Sequence, residues 1–285
     1  KILYSFFMII WIASYPKSGN TWVRSIISSY FFSNTGEFDF SLLKNISLYP
    51  GPKYFKNIIQ KPGEVSLFWE SSQKSIVQKQ SQTFLKTHNA LVALNNKNFT
   101  SEKTTLGAIY IIRDPRNILS SLKNHYGFKD YDETFNFMTN KKKYIWDVRK
   151  KNDFSGFQFL GSWSDHYKSW IENRKFKTPL IKYEDLEKDC YSTSYKLIKY
   201  ILLLIGQNNE IDEKKLFKSI ETTKFNILKR KEQDTGFDES IKINDIKKSF
   251  FFLGPENRWQ EKLPKEILSK AETEFKVDLK YFNYL

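Results

Sequence analysis

The 285-residue sequence predicts an α/β fold with a central parallel sheet covered by helices on both faces. Three observations predict it. Short apolar runs alternate with amphipathic helical stretches, the pattern that builds parallel sheets. One run, Leu106–Ile112, is almost uninterruptedly apolar, as expected of a strand buried on both faces. Lys17, His88, Arg113 and Tyr183 each fall just past the carboxyl end of a strand-like run, where such sheets bind ligands.

The elements follow in order. A β-rich run, Met8–Ala13, ends in a polar turn carrying Pro16, Lys17, Ser18 and Gly19. An amphipathic helix starts near Asn20, with Val23, Ile26, Ile27 and Tyr30 on one face. Residues 33–82 are irregular and rich in Gly, Pro, Ser and Lys, with an apolar patch at Val65–Trp69; they read as insertions or a cap over a site. Phe84-Leu85-Lys86 is a second strand. After Leu106–Ile112, Asp114-Pro115 supplies an N-cap and a first-turn proline for the next helix. A helix around Trp163–Phe176 precedes a strand at Pro179–Tyr183, and its Trp163 and Trp170, seven apart, share a face and anchor core. Further helices are expected at 193–206, 212–220 and 264–276. No repeat or low-complexity linker divides the chain, so residues 1–285 are expected to form a single domain.

Composition narrows the class. With 40% hydrophobic residues, 25 Phe, 16 Tyr and 7 Trp, the chain has ample material for a packed core, which argues against wholesale disorder. The formal charge of +14 attracts anions, but its lysines are scattered, and Lys-, Asn- and Ile-heavy usage also fits an AT-rich coding sequence. Cys190 is the only cysteine, so neither an intrachain disulfide nor a cysteine zinc cluster can form; a cytoplasmic location is expected. The first 13 residues mimic a signal peptide. Cleavage there would remove the first strand, and the stretch is too short to span a bilayer, so it is read as buried strand with no integral membrane segment.

The chemistry starts at the first turn. A strand feeding a Gly-containing turn and a helix N-terminus is an anion cradle: unpaired N–H groups and the positive dipole end converge, and Lys17 adds a full charge. It is not the ATP/GTP loop, in which Lys follows the last Gly and a hydroxyl holds Mg²⁺. Arg113, at a strand end before a capped helix, makes a second anion site; its planar fork suits phosphate, and Ser121 lies about two helical turns on. His88 directly follows a short strand, and an imidazole of ordinary pKa near 6.5 can accept a proton at neutral pH.

Tyr15-Pro-Lys-Ser-Gly-Asn-Thr-Trp22 resembles the 5′-phosphosulfate loop of the sulfotransferases, enzymes that use 3′-phosphoadenosine 5′-phosphosulfate (PAPS). The resemblance implies a P-loop-like three-layer fold and transfer of a sulfuryl group from PAPS to an acceptor hydroxyl or amine, releasing adenosine 3′,5′-bisphosphate (PAP), with no metal. It implies that Lys17, Ser18, Gly19, Asn20, Thr21 and Trp22 hold the nucleotide. Leu85-Lys-Thr-His-Asn89 is similar to the family's Lys-Thr-His segment, which makes His88 the base and places Lys86 on the sulfuryl oxygens. Arg113 and Ser121 match the family's 3′-phosphate pair. Gly161-Ser-Trp163 and Tyr183-Glu-Asp185 resemble two further segments, putting Tyr183 near the adenine; Thr222-Thr-Lys-Phe225 would add Thr223 and Phe225, opposite Trp22.

At the C-terminal end the family has Arg-Lys-Gly, its two cations gripping the 3′-phosphate. Here Phe252-Leu253 stand in their place, with Arg258, Lys247 and Lys248 as possible replacements. Two other classes stay open on residues alone. A nucleotide kinase requires a Walker-type Gly-Lys-Ser/Thr, which the chain lacks. A nucleic-acid binder requires cations clustered with aromatics on one face, and none is expected as partner. The acceptor is a small molecule, a lipid or a glycan. Segments 33–82 and 126–160, expected to line its site, carry aromatics that suit an aromatic or lipidic alcohol, while the positive charge suits an acidic glycan. Oligomeric state is open.

Overall fold

The computed structural model describes residues 8–79, 83–240 and 248–285, with the backbone alone of Lys242–Ile243 and Ile246–Lys247. Five strands form the main sheet: β1 (Ile9–Ser14), β2 (Ile46–Leu48), β3 (Thr83–Thr87), β4 (Thr105–Ile112) and β5 (Leu180–Lys182). Their order is β2-β3-β1-β4-β5, and every neighbouring pair is parallel. β1 is central, and all six of its residues are buried.

The helices are α1 (Asn20–Phe32), α2 (Trp69–Lys79), α3 (Pro115–Tyr126), α4 (Tyr131–Thr139), α5 (Trp163–Ile171) and α6 (Tyr183–Lys188). They continue with α7 (Cys190–Leu204), α8 (Glu213–Thr222), α9 (Phe225–Thr235), α10 (Trp259–Lys262), α11 (Lys265–Glu274) and α12 (Lys276–Tyr281).

Side chains alternate across a strand, so β1 feeds two cores. Ile9, Trp11 and Ala13 join Leu85, Tyr110 and Ile112 under Leu119 of α3, Trp163 and Trp170 of α5, and Phe275 and Leu279 near the C-terminus. Ile10 and Ile12 join Phe84, Ile109 and Ile111 under Val23, Ile26 and Ile27 of α1, Ile198 and Ile201 of α7, and Leu216 of α8. Sheet between two helical layers is the expected architecture. Since both faces are apolar, alternation of polarity cannot set the register of β1. Shape and one buried bond do: Trp11 Nε1 donates to Thr105 Oγ1 at 2.9 Å.

Several boundaries differ from the sequence reading. Residues 33–79 are not irregular throughout: they contain the edge strand β2, helix α2 and three short 3₁₀ turns. The helix at Trp163 stops at Ile171 instead of running to Phe176. Asn173 breaks it, its side chain donating to Phe176 O and accepting from Lys175 N. α7 begins at Cys190 because Asp189 caps it, accepting from Ser192 N at 2.9 Å. Asp114 caps α3 as expected, accepting from Arg116 N, with Pro115 in the first turn. A third, smaller core lies beside α1: Phe38, Leu43, Leu228 and Phe251, flanked by Trp22, Phe225, Phe237 and Phe250.

Candidate active site

β1, β3 and β4 run parallel side by side, with one register shift against β4 at Ile9/Ile10, and their carboxyl ends deliver Ser14–Lys17, Lys86–His88 and Arg113 to one edge. β5 delivers Tyr183 beside them. The turn after β1 is strained at a residue where strain is uncommon: Lys17 has φ 67°, in the left-handed region, as does Gly19 at 94°. Gly19 cannot be replaced without cost, because a Cβ there would strike the Tyr183 ring.

Lys17 does not stand free in solvent as an unadorned turn residue. Its Nζ lies 3.9 Å from the centre of the Phe250 ring. Burial pushes its ammonium down to about 7; Lys86 and Arg113 add to the fall, and Glu239 opposes it. Asn20 Nδ2 donates to Ile12 O and Ser14 Oγ, both at 3.2 Å, pinning the helix start to the strand end.

His88 has its tautomer fixed. Nδ1 lies 2.8 Å from the Ser14 carbonyl oxygen, which can only accept, so Nδ1 carries the proton and Nε2 the lone pair. The backbone at His88 is gripped from both sides. Its N–H donates to Gln158 Oε1 at 2.7 Å, and its carbonyl accepts from His166 Nε2 at 2.9 Å. His166 is fully buried, and Tyr110 OH donates to its Nδ1 at 2.7 Å. His166 therefore acts as scaffold, committed at both ring nitrogens. Burial pushes His88 down to about 3, with the Lys86 charge adding to the fall, so its ordinary value near 6.5 does not hold here.

Lys86 is buried and its Nζ pairs with Glu239 Oε2 at 2.8 Å. The other carboxylate oxygen takes Arg24 Nη1 at 2.6 Å, and Thr21 Oγ1 donates to Oε2 at 3.3 Å.

The second anion site is also assembled. Arg113 is buried, 3.9 Å from the Tyr183 ring centre, and its Nη1 lies 3.5 Å from Ser121 Oγ. Tyr183 meets Trp22 edge-on, with ring centroids 5.6 Å apart. Phe225 and Trp22 flank the same third core. Thr223 is buried, but its hydroxyl is already committed to Ser219 O at 2.7 Å, so it offers scaffold and no free donor. Arg258 is exposed and turned to Glu261 at 3.8 Å; the Lys247 side chain lies outside the described residues. Instead Asn257, buried, donates to Ser121 Oγ at 3.1 Å and to Asn117 O at 2.7 Å.

Buried polar atoms without a partner cost about 1–3 kcal/mol each, so they mark places built for something else. Among the described residues they are Ser18 Oγ, Asn20 Oδ1, Trp22 Nε1, Arg24 Nε, Arg113 Nε and Asn257 Oδ1, besides the indole nitrogens of Trp69 and Trp163. All but those two indoles belong to the loop, to α1 or to the Arg113 site. That concentration fits a ligand rich in oxygen acceptors and donors. No group of three or more His, Cys, Asp or Glu among the described residues is placed to hold a metal ion.

The sulfotransferase-domain family model matches residues 9–282. The chain belongs to the sulfotransferase family. Mouse sulfotransferase 2A2 is 27% identical over 207 residues, which are 71% of this chain and 60% of the relative. Rat sulfotransferase 1 family member D1 is 24% identical over 221 residues, 77% of this chain and 65% of the relative. The matches thus span somewhat under two thirds of these curated relatives. Among solved structures, mouse sulfotransferase SULT7A1 complexed with PAP superposes with a TM-score of 0.59 at 18% identity, covering 95% of this chain and 84% of that one. A retinol dehydratase in complex with retinol and PAP gives a TM-score of 0.59 at 18% identity, covering 95% and 81%. These likenesses establish the shared sulfotransferase fold.

Three site residues were not found by reading the sequence. Arg24 stands three residues after Thr21 on α1, a spacing that puts both on one helix face, but nothing local marks it as a ligand group. Glu239 and Asn257 meet the site across 215 and 136 residues of chain, a contact no motif carries.

Proposed function

We propose that this chain transfers a sulfuryl group from PAPS to the hydroxyl or amine of a small acceptor, releasing PAP, and that the nucleotide is held as the family resemblance implies. The observation that carries the reading is the convergence on one sheet edge of Lys17, Lys86 and a His88 whose Nε2 keeps its lone pair, beside the Arg113–Ser121 anion site. The acceptor O–H (or N–H) gives its proton to His88 Nε2 while its oxygen or nitrogen bonds to sulfur. The bond from sulfur to the phosphate oxygen breaks, and its electron pair stays on PAP. Lys17 and the N–H groups at the start of α1 stabilise that developing charge, the kind of fixed electrostatic contact that contributes most to such transfers. Ser14 and the Gln158–His166 grip keep the imidazole aimed without rearrangement during the reaction.

The acceptor side favours an apolar or aromatic molecule bearing a hydroxyl. Tyr15 of the loop meets Phe137 edge-on at 6.4 Å, and Tyr126 and Phe128 pack on the same ring at 5.2 and 5.5 Å. This wall lies in the 126–160 segment. The solved complexes of retinol dehydratase with retinol and PAP and with androsterone and PAP are in keeping with such an acceptor. No helix among the described residues is long and apolar enough to cross a membrane; we place the activity in the cytoplasm, in keeping with the single cysteine.

Calorimetric titration with PAP, Mg·ATP and an oligonucleotide, followed by transfer from radiolabelled PAPS to a panel of phenols and sterols, tests the reading. PAP should bind and label should reach a hydroxyl acceptor. Binding of Mg·ATP in preference to PAP would replace it with a kinase.

A further inference from the structure

Glu239 is a carboxylate inside a cation site. It lies in the segment after α9, yet its two oxygens reach Arg24 Nη1, Lys86 Nζ and Thr21 Oγ1 at 2.6, 2.8 and 3.3 Å. Arg24 and Lys86 are both buried. Arg24 is held from behind, its Nη2 donating to Ile46 O at 3.0 Å and more weakly to Leu43 O, so Nη1 is the arm left to meet Glu239. Its Nε has no partner.

The set that grips Glu239 has a definite chemistry. Two cations from different elements and a hydroxyl from the first turn of a 13-residue helix, close to the N–H groups that open that helix, are the donors that hold an esterified phosphate or sulfate. A carboxylate there presents two oxygens and one negative charge, a fair copy of one edge of a tetrahedral oxyanion. Its field also reaches both groups assigned to the chemistry: Glu239 acts on the charge of Lys17 and of His88. Two buried cations need a counter-charge. When PAPS arrives, that counter-charge can come from the nucleotide.

Resting on the sulfotransferase reading above, we propose that Arg24 is a further binding residue for the phosphosulfate end of PAPS, and that Glu239 is the chain's own occupant of that seat, displaced when nucleotide binds. Lys86 then changes partner from a carboxylate to the sulfuryl oxygens. Arg24 supplies a second buried cation beside them.

The competing description is a permanent ion pair that merely fastens the 236–240 segment. The two differ in sign. Glu239→Gln keeps the shape and removes the charge that competes with PAP. If Glu239 is displaced, PAP should bind the variant about tenfold or more tightly than wild type in calorimetry, and Arg24→Gln should cost more affinity in the Glu239→Gln background than in wild type. If Glu239→Gln leaves PAP affinity unchanged or weakens it, or the two substitutions act additively, Glu239 is a fixed pair and the proposal is wrong while the nucleotide reading stands. If neither wild type nor variant binds PAP, both fall. Should the variant fail to fold alone, refolding with saturating PAP decides: recovery of the folded form supports displacement, and no recovery overturns it.

Discussion

The two ends of the proposed nucleotide seat are built differently. At the proposed phosphosulfate end Lys86 and Arg24 pair with a carboxylate whose field reaches Lys17, and the backbone itself is strained at Lys17. At the Arg113 end one guanidinium stands with two neutral side chains, Ser121 and Asn257. Phe252 and Leu253 occupy the positions where the resemblance leads one to expect two more cations, and Phe252 faces solvent. The contrast separates two tasks. Charge that develops as a bond breaks has to be met by charge already in place. A phosphate that only identifies the nucleotide can be recognised by one planar fork and by neutral donors and acceptors of fixed geometry.

The comparison is broken most severely at His88. His88→Ala should lower transfer by about 10²–10⁴, while PAP affinity measured by calorimetry stays close to that of wild type. Loss of PAP binding along with turnover would make His88 part of the scaffold. Lys17→Ala should cost about 10²–10³ in rate and weaken PAP as well. Its thermal midpoint should slip slightly, since the contact with Phe250 is a cation–π pair worth about 0.5–1 kcal/mol. Normal turnover in Lys17→Ala would remove the loop from the mechanism.

The Arg113 end sharpens the contrast by comparing PAP with adenosine 5′-monophosphate. A charge-assisted bond contributes about 1.5–3 kcal/mol, so Arg113→Ala should shrink the preference for PAP by about ten- to hundredfold. Asn257→Ala should shrink it only a few-fold, as a neutral bond does. An undiminished preference in Arg113→Ala would send attention to Lys248 and Arg258. The smallest effect is one of pH. With the Lys17 ammonium pushed down to about 7, the protein without nucleotide loses that proton as pH rises past neutrality, whereas bound phosphate retains it. PAP binding should therefore take up protons near pH 7–8, and affinity should fall with rising pH, by at most about tenfold per unit. Calorimetry in buffers of different ionisation heat reads the uptake directly; Lys17→Ala should show none. His88 contributes no limb near neutrality, because its proton is lost only near 3.

What could be read from the chain, and what could not, divides along the same physical line. The strands, the Asp114 cap and the Trp163–Trp170 face follow from local pattern, and each appears within a few residues of its expected place. So does the gathering of Lys17, His88, Arg113 and Tyr183 at strand ends, because a parallel sheet leaves those ends on one side. β2 escaped notice as three residues among Pro, Gly and Lys; it is a strand only because β3 offers it an edge. The depressed titration of Lys17 and His88 could not be read either, since it arises from burial under segments far away in sequence. Asn257 belongs with them: its role exists only once the C-terminal stretch is folded over α3.

Glu232 has a quieter consequence. This buried residue of α9 accepts from Ser240 Oγ at 2.5 Å, from Phe250 N and Phe251 N at 2.7 and 2.9 Å, and from Ser249 Oγ at 3.1 Å. One carboxylate thus staples both roots of the stretch between Ser240 and Ser249. Glu239, paired with Arg24 and Lys86, and Phe250, under Lys17, lie immediately at those roots. Removing that one acid would therefore release Glu239 and Phe250 together, so the counter-charge on Arg24 and Lys86 and the ring under Lys17 stand or fall as a unit.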